Sequence, residues 1–582
     1  MADPIRIANC SGFFGDRLSA AREMVEGGPI DVLTGDWLAE LTMLILARTR
    51  VKRPNGAYAR TFVTQMEQVM GTCVDRGIKV VSNAGGLDPK ACAEAVHEVA
   101  QKLGLNPTIA YVSGDDLMPR IDELLEQDQI RHFETGDPIK EASFLTANAY
   151  LGCWGIVDAL NRGADIVVTG RATDAAIVCG PAAWHHGWSR TDWNPLAGAV
   201  AAGHVIECGT QATGGNYSFF TEVEGLTHTG FPLAEVAEDG SSVITKHDET
   251  GGEVSIGTVT SQLLYEIGGP EYFGPDVTTR FDTIRLEQQG PDRVRLYDVQ
   301  GEPPPTTLKV CINKAGGYRN SLSACLTGMN IEAKAKLVED AFWAACPYSP
   351  SDYAQVTRRL VRTDHSDPDN NETAVATLRI TVKDPDEKKT GRAFSNAMTE
   401  LALSTIPGFF GAGPRSAGPF GVYVPALIPA ELVTQDVVLL GGETHQVTSV
   451  IPDGPVNVVP SAGPDVPRPG GATQRVPLGT VYGARSGDKG GNANLGVFAR
   501  SDEAWVWLEE FLTVERLRAL LPEVVDLPVD RHPLPAIRSV NFVIHGLLEE
   551  GVAASTRQDP QAKSLGEWLR ARTVDIPEAL LS

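Results

Sequence analysis

The first part of the chain repeats one pattern, a short apolar run that ends on glycine and polar residues. Apolar runs of this length, bounded by glycine, predict buried strands of a parallel sheet. The clearest example is Asp165-Ile-Val-Val-Thr-Gly-Arg-Ala-Thr-Asp174. The other runs are Ile5 to Cys10, Ile30 to Leu33, Lys79 to Val81 and Thr108 to Val112. Open α/β sheets bind ligands at the carboxyl ends of such strands, so we expect one polar crevice there.

Between these runs, apolar residues recur at helical spacing. Helices are predicted at Asp16 to Glu26, Tyr58 to Asp75, Lys90 to Leu103 and 144 to 162. Asp16 suits a helix cap, and Asp88-Pro89 suits a helix start. Alternating strands and helices predict an α/β fold with a doubly wound, mostly parallel sheet over residues 1–230, which a strand at His204 to Gly209 would close.

After Gly230 the pattern changes to antiparallel strands. Strands are predicted at Val277 to Gln288, Val294 to Val299, Leu308 to Asn313, Gln355 to Val361, Ala374 to Lys383 and Gly421 to Ile428, with helices at 331 to 345 and Arg392 to Ser404. From Leu308 the order is β-α-β-β-α-β, which is typical of a ferredoxin-like sandwich. Residues 231–451 are therefore predicted to form an α+β domain.

The last part of the chain is set apart by a Pro/Gly-rich stretch at 452–475, which predicts a linker. Residues 476–582 then predict a small α+β module. Its strands are expected at Val476 to Ala484, Asn494 to Ala499 and Ile537 to His545, and its helices at Asp502 to Leu521 and Ser564 to Arg572. Such a module folds alone or docks on a neighbouring subunit, and we expect a homo-oligomer.

Composition is that of a large globular protein, with 582 residues of which 42% are hydrophobic. No apolar run is long enough to predict a membrane span, and the run Leu38 to Ala47 is interrupted by Glu40 and Thr42. A strand is predicted from Ile5, which leaves no room for a signal peptide, so a cytoplasmic location is expected. Nine scattered cysteines argue against a disulfide framework or a structural zinc site.

Charge is strongly acidic, with 50 Lys and Arg against 74 Asp and Glu and a net charge of −24. This disfavours binding to nucleic acid or to an anionic membrane. One basic segment opposes the trend and contains Arg48, Arg50, Lys52, Arg53 and Arg60. Either it is a solvated loop or subunit contact, or it holds the phosphates of a ligand. In the second case the phosphate-binding residues would be Arg50, Lys52 and Arg53.

Polar residues at the predicted strand ends are the candidates for a functional site. The catalytic candidates are Asp174, Glu207 and Cys208, since proton transfer and nucleophilic attack need such groups. The substrate-binding candidates are Ser11, Gly12, Asp36, Asn83, Asp115, Arg171, Gln211, Arg485, Asp488 and Lys489. Arg171 either clamps an anionic group of the substrate or pairs with Asp174. Asp174 could instead cap a helix, and Cys208 could be a buried structural thiol.

Two segments have an ordinary alternative to ligand binding. The turn Ser11-Gly12-Phe13-Phe14-Gly15-Asp16 leads from a strand into a helix and either contacts an anion or packs tightly. The segment Arg485 to Asn494 combines charge with glycine between two strands. It is either a long hairpin turn or a loop that completes the crevice, in its own subunit or in a neighbouring one.

Several separated motifs together resemble the acyclic terpene utilisation protein AtuA family. They are Asn9-Cys-Ser-Gly-Phe-Phe-Gly-Asp-Arg17, Thr169-Gly-Arg-Ala-Thr-Asp174, the segment Gly203 to Gly215, Leu263-Leu-Tyr-Glu-Ile267 with Pro275-Asp-Val277, and Arg485-Ser-Gly-Asp-Lys-Gly-Gly-Asn492. They occur in the family's order, so the resemblance covers nearly the whole chain, including a C-terminal AtuA-like ferredoxin-fold module. It implies a role in citronellol and geraniol breakdown, as the lyase that acts on a 3-hydroxy-3-isohexenylglutaryl-CoA type of thioester and releases acetate.

A lyase of this kind needs a base for the tertiary hydroxyl and a group that stabilises the enolate. Coenzyme A would be part of the acyl-CoA substrate. A divalent metal is a further candidate cofactor, with oxygen ligands from Asp36, Asp115, Asp116, Asp174 and Glu207. Three alternatives stay open. They are a related hydratase, a hydrolase or transferase acting on another small carboxylate, and a noncatalytic scaffold subunit of an acyl-CoA carboxylase complex.

Overall fold

A computed structural model describes residues 3–140, 143–411, 416–449, 456 and 458–581. The chain divides into two compact units. Unit 1 contains Met1–Asn313, Tyr423–Val552 and Asp559–Ser582, and unit 2 contains Lys314–Val422 and Ala553–Gln558. The chain thus leaves unit 1 and returns to it, and the residues of the predicted C-terminal module belong almost entirely to unit 1.

The helices alternate with strands in the first part of the chain and become sparser later. They are α1 (Ala20–Gly27), α2 (Glu40–Lys52), α3 (Arg60–Arg76), α4 (Pro89–Leu103), α5 (Ile121–Glu126), α6 (Trp154–Asn161), α7 (Ala176–His186), α8 (Trp193–Ile206), α9 (Ile256–Leu263), α10 (Ile331–Ala345), α11 (Phe394–Glu400), α12 (Asp502–Phe511), α13 (Val514–Leu520) and α14 (Leu565–Arg570).

The strands before unit 2 are short. They are β1 (Ile5–Asn9), β2 (Val32–Gly35), β3 (Lys79–Ser82), β4 (Ile109–Ser113), β5 (Arg131–His132), β6 (Phe144–Ala149), β7 (Ile166–Thr169), β8 (Pro232–Val236), β9 (Ser242–Lys246), β10 (Glu271–Phe273), β11 (Thr278–Arg280), β12 (Arg285–Gly290), β13 (Arg293–Tyr297) and β14 (Gln300–Glu302).

The later strands include two long ones, β15 and β19. They are β15 (Thr307–Thr327), β16 (Gln355–Val361), β17 (Val375–Asp384), β18 (Phe409–Gly411), β19 (Gly418–Pro429), β20 (Thr434–Leu439), β21 (Thr444–Thr448), β22 (Thr473–Pro477), β23 (Gly483–Lys489), β24 (Asn492–Phe498), β25 (Val529–Leu534), β26 (Ser539–Ile544) and β27 (Thr573–Pro577).

The main sheet of unit 1 has the order β12-β13-β9-β8-β1-β2-β3-β7-β4-β20-β21. Its centre, β1-β2-β3-β7-β4, is parallel, and these are the five strands predicted from the apolar runs. The strands flanking this centre, β8 and β20, pair antiparallel with β1 and β4. The α/β fold is therefore confirmed, and the sheet is a mixed one with a parallel centre and antiparallel extensions on both sides.

Two local predictions in this region were wrong. The strand predicted at His204 to Gly209 is the end of helix α8 followed by a tight turn. Residues Leu196 to Ile206 of α8 are all buried. The helix therefore has no polar face, and its sequence shows no helical alternation of polar and apolar residues. The helix predicted at 144 to 162 is the strand β6 followed by α6, which begins after Gly152.

Two helix starts differ in how well they were predicted. Asp88 accepts a hydrogen bond from the backbone N–H of Ala91 (3.0 Å), and Pro89 begins α4, as expected from their sequence. Asp16 is not a helix cap, because α1 begins only at Ala20. Instead, a carboxylate oxygen of Asp16 accepts a hydrogen bond from the backbone N–H of Gly12 (3.0 Å) and closes the turn after β1.

Unit 2 contains the predicted β-α-β-β-α-β order. The elements are β15, α10, β16, β17, α11 and β19, and the strands lie side by side as β16-β17-β15-β19. The outer β16 and the long β15 both pair antiparallel with β17. Its core holds Val338 and Phe342 of α10 against Leu378 of β17 and Phe394 of α11. This is the strand order of a ferredoxin-like sandwich.

The C-terminal module has its own antiparallel sheet, β23-β24-β26-β25, with a core that includes Trp505, Leu508 and Phe542. The predicted helix Asp502 to Leu521 is two helices, α12 and α13, separated at Leu512-Thr513, where Thr513 caps α13. The module packs closely on the rest of unit 1 at Gly487, where an added Cβ would lie 2.7 Å from the ring of Tyr265.

The predicted linker at 452–475 lies partly outside the described residues. Residues 458–472 form neither helix nor strand, but Ser461 is held to the core of unit 1. Its backbone N–H donates to the carbonyl oxygen of Asp282 and its hydroxyl to that of Thr283, both at 3.0 Å. Within the described residues, every helix is too short or too polar to cross a membrane.

Candidate functional site

Charged side chains gather in unit 1 at the carboxyl ends of the parallel strands. Asp36 follows β2, Arg171 and Asp174 follow β7, and Glu207 ends α8. They lie within electrostatic reach of one another, because burial and then the charges of Asp174 and Glu207 raise the pKa of Asp36. We call the space that these side chains surround the cleft.

The walls of the cleft are deep in the fold but remain accessible. Glu40 at the start of α2, Lys309 on β15 and Glu266 after α9 are surrounded by protein. Nevertheless, their side chains stay 28%, 32% and 39% exposed. Side chains that are enclosed by the fold and still reachable by water line an internal recess, which is the usual form of a small-molecule site.

One group of cleft residues, the Tyr150 cluster, consists of Tyr150, Arg171, Lys309 and Glu40. The guanidinium of Arg171 lies 4.2 Å from the centre of the Tyr150 ring, and Nζ of Lys309 lies 4.7 Å from it. Glu40 accepts hydrogen bonds from the Tyr150 hydroxyl (2.8 Å) and from Lys309 (3.2 Å). Burial disfavours its charge, yet Lys309 and Arg171 hold the pKa of Glu40 well below its usual range. The cluster is therefore a fixed, ionised network.

Arg171 also pairs with Asp174, which is one of the two roles expected from the sequence. Its Nη1 donates to Oδ1 of Asp174 (2.7 Å) and to the carbonyl oxygen of Leu38 (3.4 Å). Asp174 is not a helix cap, because α7 begins beyond it without a side-chain cap. Nε of Arg171 is buried and has no hydrogen-bond partner within the described residues. The guanidinium thus keeps a donor for a ligand while it is held by Asp174.

A second group, the Tyr265 cluster, consists of Tyr265, Glu266, Arg485 and Lys563. Arg485 and Lys563 lie 4.1 Å and 4.3 Å from the centre of the Tyr265 ring. Lys563 also contacts Glu266 at 3.3 Å and hydrogen-bonds the Tyr265 hydroxyl. Burial lowers the pKa of Lys563 to about 8. Two cations from the C-terminal module thus enclose an aromatic ring of the core.

Gln211 and Asp488 support the Tyr265 cluster from either side. The side-chain oxygen of Gln211 accepts a hydrogen bond from Arg485. Asp488 lies 3.9 Å from Lys563 and accepts a hydrogen bond from Gln561 (3.3 Å). Burial, together with the charge of Glu40, raises the pKa of Asp488 to about 7. Both residues were predicted from sequence as substrate-binding, and the structure places them beside the cleft.

Glu207 and His204 form a pair on the last turn of α8. Nδ1 of His204 lies 3.3 Å from Oε1 of Glu207. Burial raises the pKa of Glu207, with further contributions from Asp174 and Glu266, and burial lowers that of His204 to about 4. Within the described residues, Oε2 of Glu207 has no hydrogen-bond partner. At neutral pH the imidazole is therefore neutral, and the carboxyl keeps its proton to a higher pH than an ordinary glutamate does.

Asn9 and Tyr272 hold this pair in place. The side-chain amide of Asn9 donates to the carbonyl oxygens of Ile206 (2.5 Å) and Glu207 (2.9 Å), which satisfies the end of α8. The ring of Tyr272 packs against that of His204, with 5.2 Å between their centres. The position of Glu207 is thus fixed from the end of β1 and from β10.

Lys489 reaches the cleft from the C-terminal module. Its Nζ donates to the carbonyl oxygen of Glu266 (2.7 Å) and lies 5.7 Å from the centre of the Tyr272 ring. Burial and then the nearby charge of Lys309 lower its pKa. The segment Arg485 to Asn494 is shorter in its unpaired part than either alternative expected from the sequence, because β23 pairs with β24 as far as Lys489 and Asn492, and the turn is Gly490-Gly491. A short hairpin therefore carries Lys489 into the cleft of the same chain.

Other candidates lie behind the cleft and support its walls. Asn83 donates to Oδ1 of Asp36 (2.6 Å) and accepts from the backbone N–H of Trp37 (2.8 Å), so it positions Asp36. Ser11 donates to the carbonyl oxygen of Phe13 (3.0 Å). An added Cβ on Gly12 would lie 2.4 Å from the carbonyl carbon of Cys208. The turn after β1 thus packs tightly on the end of α8.

Cys208 lies next to these groups, but its state does not favour attack on a substrate. Burial, and then the charge of Glu207, raise the pKa of the Cys208 thiol well above its usual value. A nucleophilic cysteine acts as the thiolate. Burial therefore disfavours a nucleophilic role for Cys208.

Asp115 lies beneath Arg171 and shapes its backbone. One carboxylate oxygen of Asp115 accepts hydrogen bonds from the backbone N–H of Arg171 (2.9 Å) and from the side chain of Asn148 (2.8 Å). An added Cβ on Gly170 would lie 2.2 Å from its other oxygen. Asp115 thus acts on the site through Arg171.

Asp115 gives a prediction for stability. Burial raises its pKa to about 7, so the folded protein holds a proton that the unfolded chain releases near pH 4. The free energy of unfolding should therefore fall as pH rises from about 4 to about 7, with roughly 4 kcal/mol as an upper bound from this group. Asp115→Asn cannot titrate and should lose less stability over this range, as measured by urea unfolding at pH 5 and pH 8.

The control for this experiment is Asp122→Asn, on the exposed face of α5. It should leave the pH dependence of the wild type unchanged, because it removes a carboxyl on the helix surface and leaves the buried carboxyl of Asp115 in place. If Asp115→Asn and the wild type lost equal stability between pH 5 and pH 8, Asp115 would not be the buried proton holder.

The basic segment lies at the far end of α2. Arg50 donates to the carbonyl oxygen of Leu87 (2.5 Å), whereas Lys52 and Arg53 are exposed. Since α2 begins at Glu40 and rises 1.5 Å per residue, Lys52 lies about 18 Å along the helix from the cleft. The structure therefore separates these three residues from the other candidates. The cleft and the basic segment nevertheless lie at opposite ends of one helix, α2.

Metal ligands do not gather in the part of the chain that the structure describes, where no three His, Cys, Asp or Glu side chains are arranged to hold an ion. The divalent cofactor stays a prediction from the sequence alone.

The family assignment follows from comparison of the whole chain with protein families. Residues 5–439 match the acyclic terpene utilisation family protein AtuA, and residues 476–575 match the AtuA ferredoxin-like domain. The chain belongs to the AtuA family. No curated protein matches it. Membership of the AtuA family indicates a part in the utilisation of acyclic terpenes, and both the resemblance and the C-terminal ferredoxin-like domain are confirmed.

Eight residues in or beside this AtuA family cleft were not predicted as site residues, although the sequence contained a signal for four of them. Glu40, Lys309 and the pair Tyr265-Glu266 each interrupt an apolar run. A charge inside such a run needs a partner or a function, because burying it alone is costly. Tyr150, Tyr272 and Tyr423 had no such signal, and neither did Lys563, which lies in a polar turn.

Proposed function

We propose that this AtuA family protein is a carbon-carbon lyase that cleaves a 3-hydroxy-3-alkylglutaryl-CoA thioester, of the isohexenyl type, and releases acetate. The observation that supports it best is the convergence of three basic side chains, Arg171, Lys309 and Lys489, in the same cleft as the buried carboxyl of Glu207. Such a site can remove a proton from an alcohol and stabilise negative charge that develops on a nearby carbon.

The reaction needs one proton to move and one bond to break. A base takes the proton of the tertiary hydroxyl, and the bond between the carbinol carbon and the carboxymethyl arm breaks. The carbinol carbon becomes a ketone, and the electron pair stays on the carboxymethyl arm as the doubly charged enolate of acetate. That carbon then accepts the proton, which gives acetate and a 3-oxoacyl-CoA.

Glu207 is our candidate for the base. Its raised pKa makes its carboxylate a stronger base than an ordinary glutamate near neutral pH. Oε2 has no partner within the described residues, so it can accept the hydroxyl proton and return it to the acetate carbon. His204 lies beside Oε1 and stays neutral, which spares Glu207 a permanent ion pair.

Arg171, Lys309 and Lys489 stabilise the leaving group in this mechanism. An acetate enolate carries one more negative charge than a carboxylate, so it needs more than a single ion pair. Arg171 and Lys309 remain charged, because Asp174 and the Tyr150 cluster outweigh the effect of burial and raise the pKa of both. Preorganised cations in an enclosed recess are worth more than the same charges in solution.

The test of the proposed function is incubation with 3-hydroxy-3-isohexenylglutaryl-CoA, followed by NMR of the small molecules formed. Release of acetate together with a 3-oxoacyl-CoA would support the lyase. Loss of water to give an unsaturated thioester would identify a hydratase instead. Release of the free acid and coenzyme A would identify a thioesterase, and the intact substrate would contradict the proposal.

The basic segment is our candidate for binding the phosphates of coenzyme A. Lys52 and Arg53 are exposed at the end of the helix whose start lines the cleft. We expect Lys52→Ser with Arg53→Ser to raise KM for the acyl-CoA about tenfold without changing kcat, since it removes two exposed contacts far from the reacting carbon. Raising the salt concentration should reduce the difference.

A matched control removes two positive charges elsewhere, at Lys336 and Arg475, both of which are exposed. This control should leave KM within twofold of the wild type. An equal rise in KM for both double variants would mean that only the net charge matters, and the basic segment would then have no specific contact with coenzyme A.

A further inference from the structure

The Tyr150 and Tyr265 clusters share one arrangement. In each, an arginine and a lysine lie close to the same tyrosine ring, with all four cation-to-ring distances between 4.1 and 4.7 Å. In each, a glutamate contacts the lysine, at 3.2 Å for Glu40 and 3.3 Å for Glu266. The chain thus presents two cationic sites to one cleft, one from the core and one completed by the C-terminal module.

The Tyr150 cluster and the neighbouring Tyr423 have donors that lack an acceptor within the described residues. Nε of Arg171 and the hydroxyl of Tyr423 are both buried, at 2% and 8% exposure, and neither has a hydrogen-bond partner among the described residues. Tyr423 lies 5.9 Å, measured from its ring centre, from Nζ of Lys309. Buried donors in folded proteins are nearly always satisfied, so these two are suited to an anionic ligand.

The Tyr265 cluster carries excess positive charge. Burial raises the pKa of Glu266 and of Asp488, which favours their neutral forms and weakens their pairing with Lys563. Arg485 has the neutral Gln211 as its side-chain partner. A ligand that brings a carboxylate to this cluster would therefore compensate charge that the protein leaves unbalanced.

The two clusters are close enough to influence one another. Glu40 of the first contributes to the raised pKa of Glu266 and of Asp488. Lys489 interacts with Lys309 of the first cluster and with Glu266 of the second. One short molecule can therefore reach both clusters at once.

We propose that the cleft binds short diacids, with one acid group at the Tyr150 cluster and the other at the Tyr265 cluster. The ligand class is the free 3-hydroxyglutarate type of acid, without coenzyme A. This inference rests on the proposed function in that it takes the same cleft as the substrate site. In the thioester substrate the second arm would bring its carbonyl oxygen, in place of a carboxylate, to Arg485 and Lys563. The free diacid is then a competitive inhibitor.

Isothermal titration tests the inference with 3-hydroxy-3-methylglutarate and 3-hydroxy-3-methylbutyrate, which differ in their second acid group. The diacid should bind at least about tenfold more tightly, because the monoacid leaves one cluster unpaired. Lys563→Met should weaken the diacid about tenfold and change the monoacid less than twofold. Lys563 is 38% exposed, so this variant should fold. Equal affinity for the two acids in the wild type would overturn the inference.

Arg485→Gln serves as a second variant with the same expected result, and Lys563→Arg is the matched control that keeps the charge and should keep the diacid affinity within about threefold. A loss of monoacid and diacid binding in equal measure by Lys563→Met would also overturn the inference. Binding of the diacid by a protein that releases no acetate would leave the inference standing without the lyase. Acetate release without diacid binding would support the lyase and overturn the inference of a diacid site.

Discussion

Glu207→Gln is expected to reduce kcat for acetate release by about 100- to 10,000-fold, the usual contribution of a positioned base. Gln has nearly the same shape as Glu and can keep the contact with His204, but it cannot accept the hydroxyl proton. The wild-type kcat should rise with pH as the Glu207 carboxyl ionises, because the carboxylate is the active form and burial has raised its pKa. Stopped assays across pH should show that this rise is absent from the residual activity of the variant.

The matched control is Glu222→Gln. Glu222 pairs with Arg500 and lines a separate cavity of about 270 Å³, which contains none of the cleft residues. The kcat and the pH profile of the Glu222→Gln variant should equal those of the wild type. If Glu207→Gln retained full activity with the same pH dependence, another group would be the base, and Asp174, which pairs with Arg171, would be the next candidate.

Lys489→Met is the second change with a large expected effect, a loss of about 100- to 1,000-fold in kcat, as is usual when one preorganised group that stabilises charge is removed. Met fills a similar volume, so the hairpin of β23 and β24 should keep its place. The melting temperature should shift by no more than a few degrees, because the Lys489 side chain is only half-buried and its ammonium donates to a backbone carbonyl. Calorimetry and rate measurements on the same sample separate the two effects.

Lys489→Arg keeps the positive charge and should recover part of the lost rate. A variant with Met at this position and wild-type kcat would mean that the hairpin only covers the cleft. A variant that lost activity together with ten degrees or more of thermal stability would instead point to a structural role for Lys489 in docking the module.

Much of the parallel centre of the sheet was predictable, because each of its strands is a continuous apolar run that ends on glycine. The antiparallel strands β8 and β20 were not predicted to join it. They come from residues far along the chain, and local spacing contains no information about which distant strand pairs with which. The same limit explains why the sequence predicted the order of the elements in unit 2 better than the edges of the main sheet.

The prediction of the site shows a similar division. Arg171, Asp174 and Glu207 were singled out from their places near expected strand ends, and the structure does gather them, although Glu207 ends a helix. Lys489 was singled out because charge and glycine occur together, and its segment is a tight hairpin. Lys563 lies in a polar turn that resembles other polar turns of the chain, so only the fold reveals that it faces Tyr265.

The hairpin that carries Lys489, together with Lys563, has a consequence for how the protein becomes active. The cleft needs residues from Asn9 near the beginning of the chain to Lys563 near its end. A ribosome releases these residues in order. A nascent chain can therefore complete the parallel sheet and the Tyr150 cluster before Arg485, Lys489 and Lys563 have been synthesised. Incomplete chains, and chains cut short by a premature stop codon, should therefore be inert toward the substrate even when most of their fold is intact.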